Sequence, residues 1–158
     1  MTPPKRYVPQ IEHFLQAPEA IRRDGRPEWM QVVGLTHNPG KLLSFSGPSA
    51  RALAGCGLDN VMLSWGHGKY LYHAFRGQGS LSEEGLAMIR YHSFIRTWHR
   101  EGACIHLMDS RDYKHLEAVR AFNPYDLYSK SNERVRVAEL KPYYENLVAK
   151  FVLDEIDW

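Results

Sequence analysis

The stretch GLTHNPGKLL, from Gly34 to Leu43, decides how the fold is interpreted, because its histidine belongs to a set of possible metal ligands spread along the chain. The histidines of this set recur about every 25 to 30 residues, each on or beside a segment with helical spacing of apolar residues, and an aspartate follows a further such segment. The set is His13, His37, His67, His92 and Asp126. Helical bundles build metal sites from inward-facing side chains on several helices. The spacing therefore predicts an all-α bundle around a metal site.

Length and charge limit the class of protein. A chain of 158 residues is in the usual range for one domain and can bury about two thirds of its unfolded surface. Hydrophobic residues make up 44% of the chain and the formal net charge is only +2. Neither disorder nor a nucleic-acid partner is indicated. We expect a single domain, 1–158, that acts on a small molecule.

The cysteines and the N-terminal sequence indicate a compartment. Two cysteines, Cys56 and Cys104, are too few for a disulfide framework or a thiolate metal site. No apolar run has the length of a signal peptide or of a membrane span. The expectation is a cytoplasmic protein without a membrane partner.

The first half of the chain predicts two helices after an extended, proline-containing arm over residues 1–10. Residues 11–23 form the first, and Asp24-Gly25 ends it. Pro27 suits the first turn of the second, whose buried stripe includes His37 and which stops at Asn38-Pro39-Gly40. Residues 44–59 are rich in Gly, Ser, Pro and Ala, which is typical of a connecting loop.

The second half predicts four more helices. The clearest, from His67 to Phe75, has apolar residues and His67 on one face. Ser80 and Glu83 have the spacing of a capping box for the next helix, whose apolar side includes His92. A fifth helix covers residues 113–122 and ends at Asn123-Pro124, and Pro142 opens a sixth. No long alternation of apolar and polar residues favours a sheet.

The chemistry of the proposed ligands leaves two interpretations open. A single histidine on an apolar face is usually a hydrogen-bonded core residue. Neutral imidazole and carboxylate also suit iron, zinc, manganese or copper, and two histidines with one carboxylate are typical of non-haem Fe(II) oxygenases. Of the nearby polar residues, Lys41, Ser93 and Lys130 each lie within four residues of a proposed ligand.

Seven motifs resemble the myo-inositol oxygenase family and occur in that family's order. They are IEHFLQ (11–16), AIRRDG (20–25), GLTHNPGK (34–41), MLSWGH (62–67), MIRYHSF (88–94), FNPYDLYSKS (122–131) and LKPYYENLV (140–148). The resemblance covers about residue 9 to Trp158. It implies an all-α, HD-domain-like bundle that holds two irons, and a reaction in which dioxygen cleaves a ring carbon–carbon bond of inositol to give a uronic acid.

The resemblance also implies roles for individual residues. His13, His37 and Asp126 correspond to ligands of one iron, and His67 and His92 to ligands of the other. Lys41, Ser93 and Lys130 correspond to residues at the substrate, where the lysines stabilise a developing alkoxide. The implied partners are dioxygen and a small polar substrate such as myo-inositol. A monomer is favoured, although the sequence leaves the oligomeric state open.

Four features depart from the family pattern, one of them the replacement of an acidic N-terminal stretch by Thr2-Pro3-Pro4-Lys5-Arg6. Asn38 stands where the family has a bridging aspartate, so one iron instead of two is an alternative, held by His13, His37 and Asp126. The segment that covers inositol in the family is shortened to Ser44–Leu58, and Gly68-Lys69 replaces an acidic pair. These departures leave open a catalytically silent relative that binds a small molecule or a partner, and phosphoester hydrolysis of the HD-domain type is a third alternative.

Overall fold

A computed structural model describes residues 10–38, 55–60, 66–95, 98, 104–128 and 135–156, with the side chains of 10–13 and 128 left out. It contains six α-helices and, within these ranges, no β-strand beyond a single bridge between Gly79 and Val152. The helices are α1 (Gln10–Arg23), α2 (Glu28–Thr36), α3 (His67–Phe75), α4 (Glu83–Tyr91), α5 (Ser110–Tyr128) and α6 (Val137–Phe151). The prediction of an all-α protein is confirmed. Among the described helices, none is long and apolar enough to cross a membrane.

Helices that are neighbours in the sequence pack against each other, and their apolar side chains form two clusters. The α1 helix packs on α2, and α4 lies between α3 and α5. The larger cluster joins these helices to α6 through residues such as Ile21, Val33 and Phe122. The smaller one surrounds the fully buried Trp98 and includes Tyr91 of α4 and Val119 of α5. Burial of apolar side chains on one face of each helix therefore fixes the bundle.

Two glycines allow neighbouring helices to approach closely. A Cβ atom on Gly34 of α2 would lie 2.8 Å from Ile21 Cδ1 and 3.1 Å from the backbone nitrogen of Pro18 in α1. A Cβ atom on Gly68 of α3 would lie 2.7 Å from the carbonyl oxygens of both Ile89 and Arg90 in α4. These contacts set the distances between the helices that carry the histidines.

The predicted start of α4 at a Ser80 capping box is wrong. Ser82 is the N-cap, and its Oγ accepts a hydrogen bond from the backbone N–H of Gly85. Ser80 instead bonds to the end of α6: its N–H donates to Phe151 O and its hydroxyl donates to Lys150 O. The contact with the end of α6 thus competes with the local cap.

The predicted boundaries at two prolines are also wrong. The α5 helix continues through Pro124 to Tyr128, and α6 begins at Val137, five residues before Pro142. A proline inside a helix removes one hydrogen bond. In α5 this loss is offset by tertiary contacts of the next turn, where buried Tyr125 donates to Asp24 and accepts from Arg26.

Other local predictions are confirmed. The α3 helix has the predicted bounds, α1 ends where Gly25 takes a φ of +64°, and His37 is buried at the end of α2. Pro27, which was predicted in the first turn of α2, lies one residue earlier and is its N-cap. Most of the predicted loop, residues 44–54, and nearly all of the arm lie outside the described residues.

Candidate metal centre

His37 is oriented by its own helix. It is the C-cap of α2, where its backbone N–H donates to Val33 O, and its side chain is only 3% exposed. Its Nδ1–H donates to Gly34 O at 2.8 Å. The other ring nitrogen, Nε2, lies 3.2 Å from Oδ1 of Asp126, a residue in the last turns of α5. The C-terminal ends of α2 and α5 thus meet at the His37–Asp126 pair.

His67 and His92 form a second pair. His67 is the first residue of α3, and His92 follows directly after α4. Their Nε2 atoms are 2.9 Å apart. As in His37, the Nδ1–H of His92 donates to a carbonyl three residues earlier, Ile89 O, at 2.9 Å. The same local hydrogen bond therefore orients the two buried histidines.

The two pairs are adjacent. The rings of His37 and His92 meet edge to face with their centroids 5.0 Å apart. Phe122 of α5, which is fully buried, lies with its centroid 5.1 Å from that of His37 and 6.5 Å from that of His92. Four of the five predicted metal ligands, His37, His67, His92 and Asp126, are thus brought together beside one aromatic wall.

The hydrogen bonds define which atoms face the centre. Because Nδ1 of His37 and of His92 donates to a carbonyl oxygen, Nε2 is the nitrogen of each ring that faces the centre. His37 Nε2 and Asp126 Oδ1 are 3.2 Å apart, a contact that is favourable only with a proton or a cation between them. Two ligands in adjacent positions on a metal, each about 2.0–2.2 Å from it, are separated by about 3 Å. Both pairs have this spacing.

Asn38 lies at the same point and offers both a donor and an acceptor. Its side-chain N–H donates to His37 Nε2 at 2.6 Å. Its Oδ1 is buried and accepts no hydrogen bond from any residue that the structure describes. A buried amide oxygen without a partner costs free energy unless a donor or a cation satisfies it. The residues at this centre therefore fit a bound cation.

Burial sets the protonation state of His92. Burial, together with the neighbouring His37, lowers the pKa of the imidazole to about 3, although the carboxylate of Asp126 partly offsets them. His92 is consequently neutral at pH 7. Neutral imidazole is the form that binds metals.

The remaining predicted residues divide into two groups. Ser93 is exposed and directly follows His92. The side chain of His13, and all of Lys41 and Lys130, lie outside the described residues. Within the described part of the chain, no group of three or more His, Cys, Asp or Glu side chains is arranged to hold a metal ion. The structure thus provides two pairs of donors, and the assignment of the five ligands stays a prediction.

A large cavity lies away from the clustered histidines. It has a volume of about 600 Å³ and lies between α1, α2 and α6, with mainly apolar walls formed by residues such as Leu15, Tyr144 and Val148. None of the clustered histidines lines it. The convergence of polar atoms, and not the size of a cavity, therefore marks the candidate centre.

The fold and the site together define an all-helical bundle with buried, oriented histidines beside a carboxylate. The comparison with protein families is more specific. The family model described as myo-inositol oxygenase matches residues 2–53 and 51–158. The chain belongs to this family.

Similar proteins from plants and animals carry the same description. The chain is 37% identical over 196 residues to "Probable inositol oxygenase" of Oryza sativa subsp. japonica, covering 96% of this chain and 63% of that protein. It is 37% identical over 195 residues to "Inositol oxygenase 1" of Arabidopsis thaliana, covering 95% and 62%. For "Inositol oxygenase" of Danio rerio the identity is 33% over 193 residues, covering 95% and 69%. The chain thus spans less than two thirds of the length of these plant relatives.

The alignments also show a gap inside the chain. The rice alignment spans 196 positions and this chain has only 158 residues, so at least 38 aligned positions have no counterpart here. The family match is divided at residues 51–53. That division falls within Ser44–Leu58, the segment that the sequence predicted to be shortened.

Proposed function

We propose that this chain is a non-haem iron oxygenase of the inositol oxygenase type, which uses dioxygen to cleave a carbon–carbon bond of a small polyol such as myo-inositol. The observation that carries the proposal is the convergence of the His37–Asp126 and His67–His92 pairs in a member of this family. The relatives are named inositol oxygenases, which supports the same reaction class.

The residues of the two pairs would hold the iron. His37 and Asp126, together with His13, would bind one ion, and His67 and His92 the other. Bound iron supplies the one-electron chemistry and the Lewis acidity that a reaction with dioxygen needs. The Nδ1 hydrogen bonds of His37 and His92 fix the rings, so that little reorganisation is needed on binding. Phe122 keeps this side of the centre apolar and excludes water.

The substrate would be held by residues that the resemblance assigns. Lys41, Ser93 and Lys130 would donate hydrogen bonds to the hydroxyl groups of the polyol. The ammonium groups of the two lysines would favour loss of a proton from a hydroxyl by stabilising the negative oxygen that forms. Ser93 would be close to the centre because it follows His92 in the chain.

Asn38 changes the charge of the proposed centre. Its uncharged amide can offer Oδ1 as a ligand, but it compensates less of the repulsion between two cations than a carboxylate does. The ion at His67 and His92 would therefore bind more weakly than the ion at His37 and Asp126. A protein with one bound iron would retain the more complete ligand set.

The test is dioxygen uptake by protein loaded with Fe(II) without oxygen and then mixed with aerated myo-inositol. We expect substrate-dependent uptake and a uronic acid detected by mass spectrometry. His92→Ala should lose at least 100-fold in rate if the residue binds iron, whereas the exposed His106→Ala should retain activity. Absence of uptake with inositol and with related polyols would exclude the proposal for these substrates.

A second candidate function is a catalytically silent relative that binds a small molecule or a partner. It is favoured by the hydrogen bond from Asn38 to His37 Nε2, which occupies the lone pair that a metal needs. Binding of myo-inositol to the iron-free protein, without any turnover after iron loading, is the result expected of such a relative. Loss of a measured turnover in His37→Ala would exclude it.

A further inference from the structure

A polar cavity, distinct from the apolar one between α1, α2 and α6, lies beside α3 and α4. It is on the faces of these helices that point away from the candidate metal centre. It has a volume of about 290 Å³. Its walls come from α3, α4, the turn Leu58–Asn60 and the start of α5. The lining residues are Asp59, Asn60, Lys69, Tyr72, His73, Arg76, Arg90 and Arg111. Lys69 and Arg76 are separated by two helical turns, so they share a face that points away from the buried Leu71.

The lining carries more positive than negative charge. Four of its side chains are permanently cationic, and Asp59 is the single carboxylate among them. An adjoining cavity of about 160 Å³ shares most of these residues and adds one further carboxylate, that of Glu83. Arg111 also pairs with Asp109 at 3.1 Å. Asp59, Glu83 and Asp109 therefore oppose four cations, which leaves an excess of one positive charge.

Arg90 is the fixed centre of this cluster. Its side chain is only 7% exposed, and its Nη2 donates to Asp59 O at 3.0 Å while Nη1 lies 3.4 Å from Asp59 Oδ1. Its guanidinium carbon lies 4.4 Å from the centroid of the Tyr72 ring, and that of Arg76 lies 5.7 Å from the same centroid. Two guanidinium groups thus contact the ring of Tyr72, which restrains both side chains before any ligand arrives.

The histidine in the cavity responds to this charge. Burial lowers the pKa of His73, and the positive charges of Arg90, Lys69 and Arg76 lower it further. His73 is therefore neutral at pH 7, and the cavity keeps only its permanent cations. Gathering several cations at one cavity is unfavourable unless an anion compensates them.

We propose that this cavity binds a small organic phosphate. The planar guanidinium group matches the geometry of phosphate oxygens, and a lysine adds a mobile positive charge. The volume approaches the lower end of the range for small-molecule sites, about 300–1,000 Å³, so it accommodates a phosphate group with a small polar body. The neutral donors of Asn60 and Tyr72 suit the hydroxyl groups of that body.

The proposal does not depend on iron. The cavity is separated from His67 and His92 by the thickness of α3 and α4, and none of the groups proposed to bind the phosphate is a proposed iron ligand. Binding is therefore measured on protein without added metal, and failure of the proposed oxygenase activity would leave this site unaffected.

The test is isothermal titration calorimetry with glycerol phosphate, with glycerol at equal concentration as the uncharged control. We expect glycerol phosphate to bind and glycerol not to bind. Arg76→Ala should weaken binding at least tenfold, since it removes a charged partner from an exposed position without disturbing the core. Arg136→Ala removes the same charge from α6 and should change affinity less than twofold.

Two further arms make the proposal falsifiable. Lys69→Gln should also weaken binding, and circular dichroism should show that both cavity variants remain folded. Three results would overturn the proposal: no binding of glycerol phosphate, equal affinity in the Arg76→Ala variant, or equal heats from potassium chloride at matched ionic strength. Tighter binding of inorganic phosphate than of glycerol phosphate would also overturn it, because the site would then take the bare ion.

Discussion

At the scale of single residues, Asn38 determines how the candidate centre balances its charges. Its N–H group donates to His37 Nε2 and its Oδ1 is buried without a described partner. Nδ1 of His37 already donates to Gly34 O, so Nε2 is left to accept from the amide N–H of Asn38. The amide oxygen of Asn38 then points away from this hydrogen bond. A carboxylate at this position would lose the hydrogen bond and add a negative charge beside the histidines.

Asn38→Asp should tighten Fe(II) binding. A carboxylate attracts the cation and can bridge two ions, so we expect the affinity of the weaker iron to rise at least tenfold and the iron content per chain to increase. Anaerobic titration with Fe(II), followed by elemental analysis, measures both. Asn60→Asp, which adds the same charge away from the histidines, is the control. Equal iron content in Asn38→Asp and the original protein would contradict this account of position 38.

Some of this residue-level detail was predictable. Helical spacing placed His37 and His92 on buried faces, and the structure confirms their burial. The pairing of His67 with His92 was implied only by the family resemblance, because contact between residues 25 positions apart depends on how α3 packs on α4. The Nδ1 hydrogen bonds and the aromatic wall at Phe122 were not predicted, since spacing gives a face but not a ring orientation.

At the scale of helices, Gly68 controls the packing of α3 on α4. Its hydrogen occupies the space in which a Cβ atom would lie 2.7 Å from two carbonyl oxygens of α4. Backbone atoms cannot move aside as a flexible side chain can. The neighbouring Gly66 has open space around the position of a Cβ atom.

Gly68→Ala should push α3 away from α4 and separate His67 from His92. We expect a loss of about 1–3 kcal/mol in the free energy of unfolding, which is typical of overpacking, together with weaker iron binding. Gly66→Ala, a substitution two residues away, should cost less than about 1 kcal/mol because only the helix N-cap changes. Urea denaturation of both variants measures the difference. Equal stability of the two variants would show that the close contact between Gly68 and the α4 backbone does not require a glycine.

Glu19 links α1 to α6 through a charged hydrogen bond. Its Oε1 accepts from the hydroxyl of Tyr144 at 2.7 Å, and Arg22 donates to the same carboxylate. Burial alone would raise the pKa of Glu19, but the hydrogen bonds from Arg22 and Tyr144 lower it below its ordinary value of 4.5. Because the pKa is lower in the folded state, this stabilisation is complete above pH 4.5 and is lost as the pH falls through the folded-state value.

Glu19→Gln should therefore destabilise the protein at pH 7 by about 1.5–3 kcal/mol, the usual contribution of a hydrogen bond to a charged group. The difference from the original protein should shrink as the pH falls below 4.5. Denaturant unfolding between pH 7 and pH 3 measures this dependence, with the exposed Glu117→Gln as the control. A difference that stays constant over this range would contradict the assignment.

The boundaries of helices were predicted unevenly. The bounds of α3 follow from its apolar spacing and are confirmed. Prolines misled the prediction at α5 and α6, because the cost of one missing hydrogen bond is smaller than the gain from burying residues such as Tyr125 and Tyr144. The cap of α4 was misassigned because Ser80 contacts α6, which local sequence does not reveal.

At the scale of the whole molecule, charge is distributed unevenly although its sum is small. A net charge of +2 gave no reason to expect an anion site. The cluster around Arg90 arises only when α3, α4 and the start of α5 come together. The spacing of Lys69, Tyr72 and Arg76 on one helical face was the single signal available in the sequence, and such a face is usually solvated.

Iron should stabilise the whole fold because its proposed ligands come from several helices. Binding to the folded state alone adds about 2.7 kcal/mol when free iron is at 100 times its dissociation constant. For a chain of this size, that corresponds to a rise in melting temperature of about 5–10 °C. Anaerobic calorimetry with and without Fe(II) measures the shift, with Mg²⁺ as the control ion. No shift with saturating iron would contradict binding to a preformed centre.

The proposed oxygenase requires that His37, Asp126, His67 and His92 together hold iron. Elemental analysis and Mössbauer spectroscopy test this on protein loaded with Fe(II) without oxygen, compared with a His37→Ala/His92→Ala double variant. We expect at least one iron per chain in the original protein, with nitrogen and oxygen ligation, and a loss of nearly all bound iron in the double variant. Absence of iron from the original protein, or equal iron in both, would contradict it.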